Sequence, residues 1–135
     1  EEQYLEYSLK YIKKILKKLS EDPITSKTPT IVFARDPKCN LNEFKLDDLS
    51  CYGMFTSIDP SSATSVFEGT HALQGNLDPK ILLEEDSVIK ESALKMLSEF
   101  KDFPGYIFNL GHGITPDINP DKVKVLVEAI RESGS

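Results

Sequence analysis

The sequence predicts an α/β fold with a parallel sheet. Amphipathic segments with helical periodicity alternate strictly with short apolar runs, in the order helix, strand, helix, strand, helix, strand, helix, strand, helix. Runs of this kind suit strands that are buried on both faces. Polar and glycine residues collect just after each run, where the loops of parallel α/β folds bind ligands. These patterns leave open whether the four strands form an open sheet or part of a (β/α)8 barrel.

The first predicted element is an amphipathic helix over residues 2–20, and a polar loop with two prolines follows over residues 20–29. Lysines cover much of the other side of this helix. They suit the solvated face of a packed helix better than a membrane or nucleic-acid surface. The apolar positions recur at spacings of four and three and are Leu5, Leu9, Ile12, Leu16 and Leu19.

The later elements follow from short apolar runs and from helix-start signals. The predicted strands are residues 31–34, 52–58, 72–75 and 106–110. The predicted helices are residues 42–50 and 60–67, one beginning at Pro79, residues 86–101, and one beginning at Pro120. Three helix starts place an Asp or Asn cap directly before a proline, namely Asp59-Pro60, Asp78-Pro79 and Asn119-Pro120. The last helix has a predicted inner stripe of Val123, Leu126, Val127 and Ile130.

Composition indicates one globular domain. The 135 residues are 39% hydrophobic and 28% charged, and no stretch approaches the ~20 apolar residues that cross a bilayer. The net charge is −6, and only Arg35 and Arg131 are arginines, so a basic nucleic-acid footprint is missing. Cys39 and Cys51 form no disulfide framework and suggest a reducing compartment. The sequence begins inside a predicted helix without Met, so we expect residues 1–135 to be a single-domain fragment.

His112 is the most informative candidate for chemistry. It follows the last predicted strand between Gly111 and Gly113, which allow a sharp turn and close approach of a ligand. A histidine there can bind a carboxylate or transfer a proton, or it can simply order its loop through a backbone hydrogen bond. His71 opens a strand at the opposite end of the sheet and is interpreted as structural.

The other candidates have simpler explanations. Asp59 and Asp78 are interpreted as helix caps, and Arg35 is expected to pair with adjacent acidic residues. A Cys/His nucleophilic pair has no supporting local signature. Two cysteines and two histidines that are scattered along the chain make a weak case for zinc, so no metal site is predicted.

Two phrases resemble a known family. Leu73-Gln74-Gly75-Asn76-Leu77-Asp78-Pro79 and Phe108-Asn109-Leu110-Gly111-His112-Gly113-Ile114 are similar to segments of the C-terminal part of uroporphyrinogen decarboxylase. The resemblance covers nearly the whole chain. It implies that the chain forms the C-terminal half of a (β/α)8 TIM-type barrel. It also implies that His112 matches the substrate-contacting histidine of a Leu-Gly-His-Gly motif, with Gly111 and Gly113 beside it.

The resemblance also implies an activity. The family removes CO₂ from the four acetate side chains of uroporphyrinogen to give coproporphyrinogen, without metal or organic cofactor, typically as a homodimer. It occurs in the cytoplasm and, in lineages that have them, in plastids. The family's arginine-rich motif, Asp, Tyr and Ser precede the region seen here, so we expect the fragment alone to be inactive.

Two other readings stay open. One is a noncatalytic α/β module whose Gly-His-Gly loop binds an anion. The other is a relative of corrinoid methyltransferases, which bind zinc through His and Cys. Half a barrel leaves two strand edges unpaired, so we expect self-association or coverage of one edge by the first helix.

Overall fold

A computed structural model describes residues 1–134, and its four strands form one parallel sheet in the order β1-β2-β3-β4. The strands are β1 (Ile31–Phe33), β2 (Cys51–Gly53), β3 (Ala72–Gln74) and β4 (Tyr106–Ile107). The predicted parallel sheet is therefore confirmed, although each strand is shorter than its apolar run.

The helices alternate with the strands as the sequence predicts. Helix α1 consists of three contiguous segments, Glu2–Tyr4, the π-helical Leu5–Leu9 and Lys10–Glu21. The later α-helices are α2 (Pro60–Phe67), α3 (Asp86–Glu99) and α4 (Pro120–Ser133), and two 3₁₀ helices cover Leu41–Phe44 and Pro79–Leu83. None of the helices in the described residues has the length and apolar character needed to span a bilayer.

The strand order distinguishes between the open sheet and the barrel sector that the sequence leaves open. Consecutive parallel strands lie side by side in chain order, and right-handed crossovers then place every connecting helix on the same face. A doubly wound sheet reverses its strand order and carries helices on both faces. Sequential order with one covered face is the topology of a (β/α)8 barrel sector.

The two faces of the sheet differ in burial because side chains alternate along each strand. One register row runs through Val32, Tyr52, Leu73 and Tyr106 and packs into the core beneath the helices. The opposite face has no covering helix and exposes Ile31 (50%), Phe33 (47%) and Ile107 (43%). We call this second surface the open face.

An aromatic cluster holds the helices to the covered face. Phe44, Tyr52 and Phe67 are fully buried, and the Tyr52 ring lies 4.7 Å from Phe44 and 5.2 Å from Phe67 between centroids. Leu9 and Leu16 of α1 join the same cluster, as their spacing predicts. Helices α3 and α4 form a second cluster around Ile89, Ala93, Leu126 and Ala129.

The predicted helix caps are confirmed. The Asp59 carboxylate accepts from the Ser62 amide at 2.9 Å, and the Asn119 side chain accepts from the Asp121 amide at 3.0 Å. Hydrogen bonds from Ser61 and Ser62 lower the pKa of Asp59. Asp78 caps in the same way, but the element that it starts is the 3₁₀ helix Pro79–Leu83.

Two sequence predictions are wrong in detail. The helix predicted over residues 42–50 ends at Phe44, because Phe44 and Leu49 are both buried and a continuous helix would place them about 140° apart. In α4, Val127 is 38% exposed and Ala129 takes its place in the buried stripe beside Leu126. Both errors arise because tertiary packing decides which residues face the core.

Candidate functional site

A cleft of about 240 Å³ lies on the open face at the carboxyl ends of all four strands. Among residues 1–134, its lining contains no acidic side chain, and His112 is its only titratable group. The described residues that line it are Phe33, Gly53, Met54, Gln74, Asn109, Leu110, His112 and Gly113. Parallel α/β folds place ligands at this end of the sheet.

The backbone around Gly111 holds the histidine loop against the preceding strand. The Gly111 amide donates to the Leu77 carbonyl at 2.8 Å, and the Leu110 amide donates to the Asn109 side chain at 2.8 Å. Gly111 is buried, and a Cβ there would lie 2.6 Å from the Thr56 amide nitrogen. Only glycine fits at this position, because any Cβ would clash with the Thr56 backbone.

The His112 ring has one occupied and one free nitrogen. Its Nδ1 lies 2.9 Å from the Gly113 carbonyl oxygen, which can only accept, so Nδ1 carries the proton. Its Nε2 has no hydrogen-bond partner within residues 1–134. The loop-ordering bond and a ligand-binding role are therefore compatible, because they use different nitrogens. In the neutral ring Nε2 accepts a hydrogen bond, and in the imidazolium it donates one to an anion.

Side chains that the sequence did not single out as site residues lie in the cleft lining or directly behind it. The Phe55 ring lies 5.8 Å from the His112 ring and 6.5 Å from the Phe33 ring between centroids. Asn76 lies beneath Phe55 and is buried. Gln74 reaches the cleft from the end of β3. Strand periodicity places Gln74 on the open face, but no local signal marks Phe55 or Asn76 as neighbours of His112.

The remaining candidates lie away from the cleft lining. The His71 ring packs edge-on against Phe67 and bonds to the Leu46 carbonyl at 2.9 Å, as suits a structural histidine. Arg35 does not pair with its acidic neighbour as the sequence suggests, because Asp36 pairs with Lys38 at 2.7 Å. Within residues 1–134 Arg35 forms no salt bridge, and it stays exposed after β1.

Larger concavities in the part of the chain that the structure describes lie away from His112. One of about 290 Å³ lies between α2 and the segment before β4, and its lining includes Glu68, Glu99 and Asp102, which repel an anionic ligand. One of about 320 Å³ lies between α1 and residues 45–48, and its lining mixes three lysines with two aspartates, namely Lys13, Lys17, Lys45, Asp47 and Asp48. Within residues 1–134 no three His, Cys, Asp or Glu side chains come close enough to hold a metal ion.

Comparison with known proteins assigns a family. The family model for uroporphyrinogen decarboxylase matches residues 1–133. The chain is 36% identical over 131 residues to a uroporphyrinogen decarboxylase from Alcanivorax borkumensis, which covers 97% of this chain and 37% of the relative. It is 39% identical over 141 residues to one from Chlorobium chlorochromatii, which covers 100% of this chain and 39% of the relative. The chain thus spans well under half the length of these relatives.

A solved structure matches the fold. A methyltransferase from Methanosarcina mazei superposes with a TM-score of 0.76 and covers 99% of this chain and 38% of its own. The sequences are 17% identical, so this similarity supports the fold alone. It agrees with a barrel sector of four parallel strands.

Proposed function

The chain belongs to the uroporphyrinogen decarboxylase family, and from that premise we propose that the gene product carrying it converts uroporphyrinogen to coproporphyrinogen. The observation that carries the proposal is the free Nε2 of His112 in a cleft whose described lining has no carboxylate. The resemblance to the C-terminal part of the family further supports residues 1–135 as a single-domain fragment of the barrel, and supports a cytoplasmic location.

The proposed reaction replaces four carboxylates by protons. For each acetate side chain, protonation of a pyrrole ring carbon creates a cation that accepts the electron pair of the breaking bond to the carboxyl carbon. CO₂ leaves, a proton adds to the former acetate carbon, and the ring carbon loses its extra proton. The net change at each arm is loss of CO₂ and gain of one proton. No electrons leave the molecule, so no oxidant or reductant enters the step.

His112 has a binding and positioning role in this scheme. The substrate carries eight carboxylates, and an imidazolium at the cleft can orient or neutralise one of them through Nε2. Gly111 and Gly113 let the loop bring that ring close to the ligand. The net charge of −6 means that this chain alone is a poor receptor for so anionic a substrate, so we infer that further cationic groups complete the site.

Replacing His112 by alanine in the gene product tests the proposal. We expect kcat/KM for coproporphyrinogen formation to fall about 10–100-fold, at about 1.4 kcal/mol per tenfold, because the contact that positions one substrate carboxylate is lost. The matched control is Ile114→Ala, an exposed apolar residue of the same loop, which should retain wild-type kinetics. The measurement is product analysis of the anaerobic reaction.

The outcomes separate the alternatives. Wild-type kinetics of His112→Ala would remove the site assignment. A wild-type gene product that binds the oligocarboxylate without releasing CO₂ would favour the anion-binding module. Turnover of a methyl donor with bound zinc would favour a methyltransferase.

We also propose that the chain self-associates as a homodimer through its two unpaired strand edges, β1 and β4, beside which Ile31, Phe33 and Ile107 are exposed. The expected result is a dimer by sedimentation equilibrium at micromolar concentration, weakened by Phe33→Asp. The control is Ile24→Asp in the loop after α1, where the native side chain is 88% exposed. A monodisperse monomer with both edges open would contradict the proposal.

A further inference from the structure

Asn76 is a buried polar residue beneath the turn that follows β2. It is 4% exposed, and it is the only polar or charged residue in the buried class within residues 1–134. Its Nδ2 donates to the Phe55 carbonyl at 2.9 Å and to the Ile58 carbonyl at 2.7 Å. A buried amide is costly unless it forms hydrogen bonds, and here the Asn76 nitrogen forms two whereas its Oδ1 has no partner within residues 1–134.

The two bonds clamp both ends of one turn. The Ile58 amide donates to the Phe55 carbonyl at 3.0 Å, and the same carbonyl accepts from Asn76. We call residues 55–58 the floor turn. Without the Asn76 amide, the Ile58 carbonyl would lose the side-chain donor that holds it, and the turn would retain only its internal bond.

The floor turn supports the His112 loop at two places. The Phe55 ring faces the His112 ring with centroids 5.8 Å apart and planes 31° apart. Thr56 lies directly against Gly111, where a Cβ would be 2.3 Å from Oγ1 and 2.7 Å from Cα. The position of the loop therefore depends on the position of the turn.

We propose that Asn76 is a positioning residue for His112. Its amide fixes the floor turn, and the floor turn sets where the His112 ring lies in the cleft. Asn76 does not itself line the cleft, so it acts through Phe55 and Thr56. The consequence for catalysis rests on the proposed function, whereas the mechanical link does not.

Imidazole NMR of the chain tests the link, because His71 and His112 are its only histidines. In Asn76→Ala we expect the His112 ring resonances to move and those of His71 to stay. Phe55→Leu should also move His112 alone, since it removes the ring that faces the imidazole. The control Asn42→Ala removes an exposed asparagine whose side chain bonds only to Asn40, and it should move neither histidine.

The result that overturns the link is a folded Asn76→Ala chain in which His112 resonates as in the wild type. If Asn76→Ala does not fold, Phe55→Leu carries the test, because it interrupts the link between Asn76 and His112 one step later. Phe55→Leu leaves the Asn76 bonds to backbone carbonyls in place. An unmoved His112 in that variant would equally overturn the proposal.

Activity of the gene product tests the consequence. We expect Asn76→Ala to lower kcat about 10–100-fold with a smaller change in KM. The reason is that displacing a substrate-positioning group by about 1 Å can lower the rate up to about 100-fold. The double variant with His112→Ala should be no slower than His112→Ala alone. Independent, multiplying losses would overturn a role through His112. If His112→Ala itself is fully active, the proposed site fails while the NMR link stands, so the two failures are distinguishable.

Discussion

Gly111→Ala is expected to lower kcat of the gene product for the proposed decarboxylation about 100-fold and to destabilise the fold by about 1–3 kcal/mol. A Cβ at this position would lie 2.3 Å from Thr56 Oγ1, 2.6 Å from its amide nitrogen and 2.7 Å from its Cα. Backbone atoms cannot rotate away as a side-chain tip can, so the loop must shift by about 1 Å or the floor turn must move. Overpacking of that kind has the stated stability cost, and a displacement of about 1 Å has the stated catalytic cost.

Gly113→Ala is the matched control for this change. A Cβ at Gly113 meets nothing within 4 Å, and its backbone is outside the left-handed region. Its stability should stay within about 0.5 kcal/mol of the wild type. Its loss of kcat should be smaller than that of Gly111→Ala, because Gly113 lines the cleft but its added methyl group clashes with no atom of residues 1–134. Urea unfolding and steady-state kinetics on both variants make the comparison. Equal effects of the two substitutions would show that close packing against Thr56 does not set the loop position.

Local chemistry made much of the fold predictable. The caps Asp59 and Asn119 each precede a proline, and both features act within one turn of a helix, so their sequence signature is complete. The spacing of Leu9 and Leu16 is likewise a property of one helix. Elements defined by such short-range interactions are visible without knowledge of their neighbours.

Long-range packing explains what the sequence did not reveal. A barrel sector and an open doubly wound sheet differ in strand order and in which faces the helices cover, and no single segment encodes either property. The helix predicted over residues 42–50 ended early because burial of Phe44 and Leu49 outweighed helical continuity. Strand β2 ends at Gly53 rather than at residue 58, and residues 55–58 instead form a turn in which the Ile58 amide donates to the Phe55 carbonyl.

The candidate site divides in the same way. His112 and its two neighbouring glycines are consecutive in the sequence, so their chemistry could be inferred from the sequence alone. Their support comes from Phe55 and Asn76, which are more than 30 residues away in the chain. A buried asparagine looks like a loop residue in a sequence, because only the folded chain shows which carbonyls it reaches.

Phe67→Ala is expected to cost about 3–5 kcal/mol of unfolding free energy, the largest loss of stability among the changes considered. Phe67 is fully buried at the end of α2, stacks on Tyr52 at 5.2 Å and meets the His71 ring edge-on at 5.5 Å. Removing the ring loses its transfer free energy and leaves a cavity between α2 and the sheet. The Tyr52 ring cannot move into this cavity because it is packed against Phe44 on the side that faces away from Phe67.

The measurement is urea unfolding, with a fall in midpoint at unchanged slope. The matched control is Tyr7→Ala, which removes an aromatic ring from helix α1 where it is 75% exposed, and its cost should stay below about 0.5 kcal/mol. Phe67→Leu retains part of the volume and should lose less than the alanine variant. If Phe67→Ala and Tyr7→Ala unfold at the same urea concentration, the aromatic cluster is not what holds the helices to the sheet. In that case the aromatic cluster would also not be what fixes β2, and the floor turn that begins two residues beyond β2 would be held by other contacts.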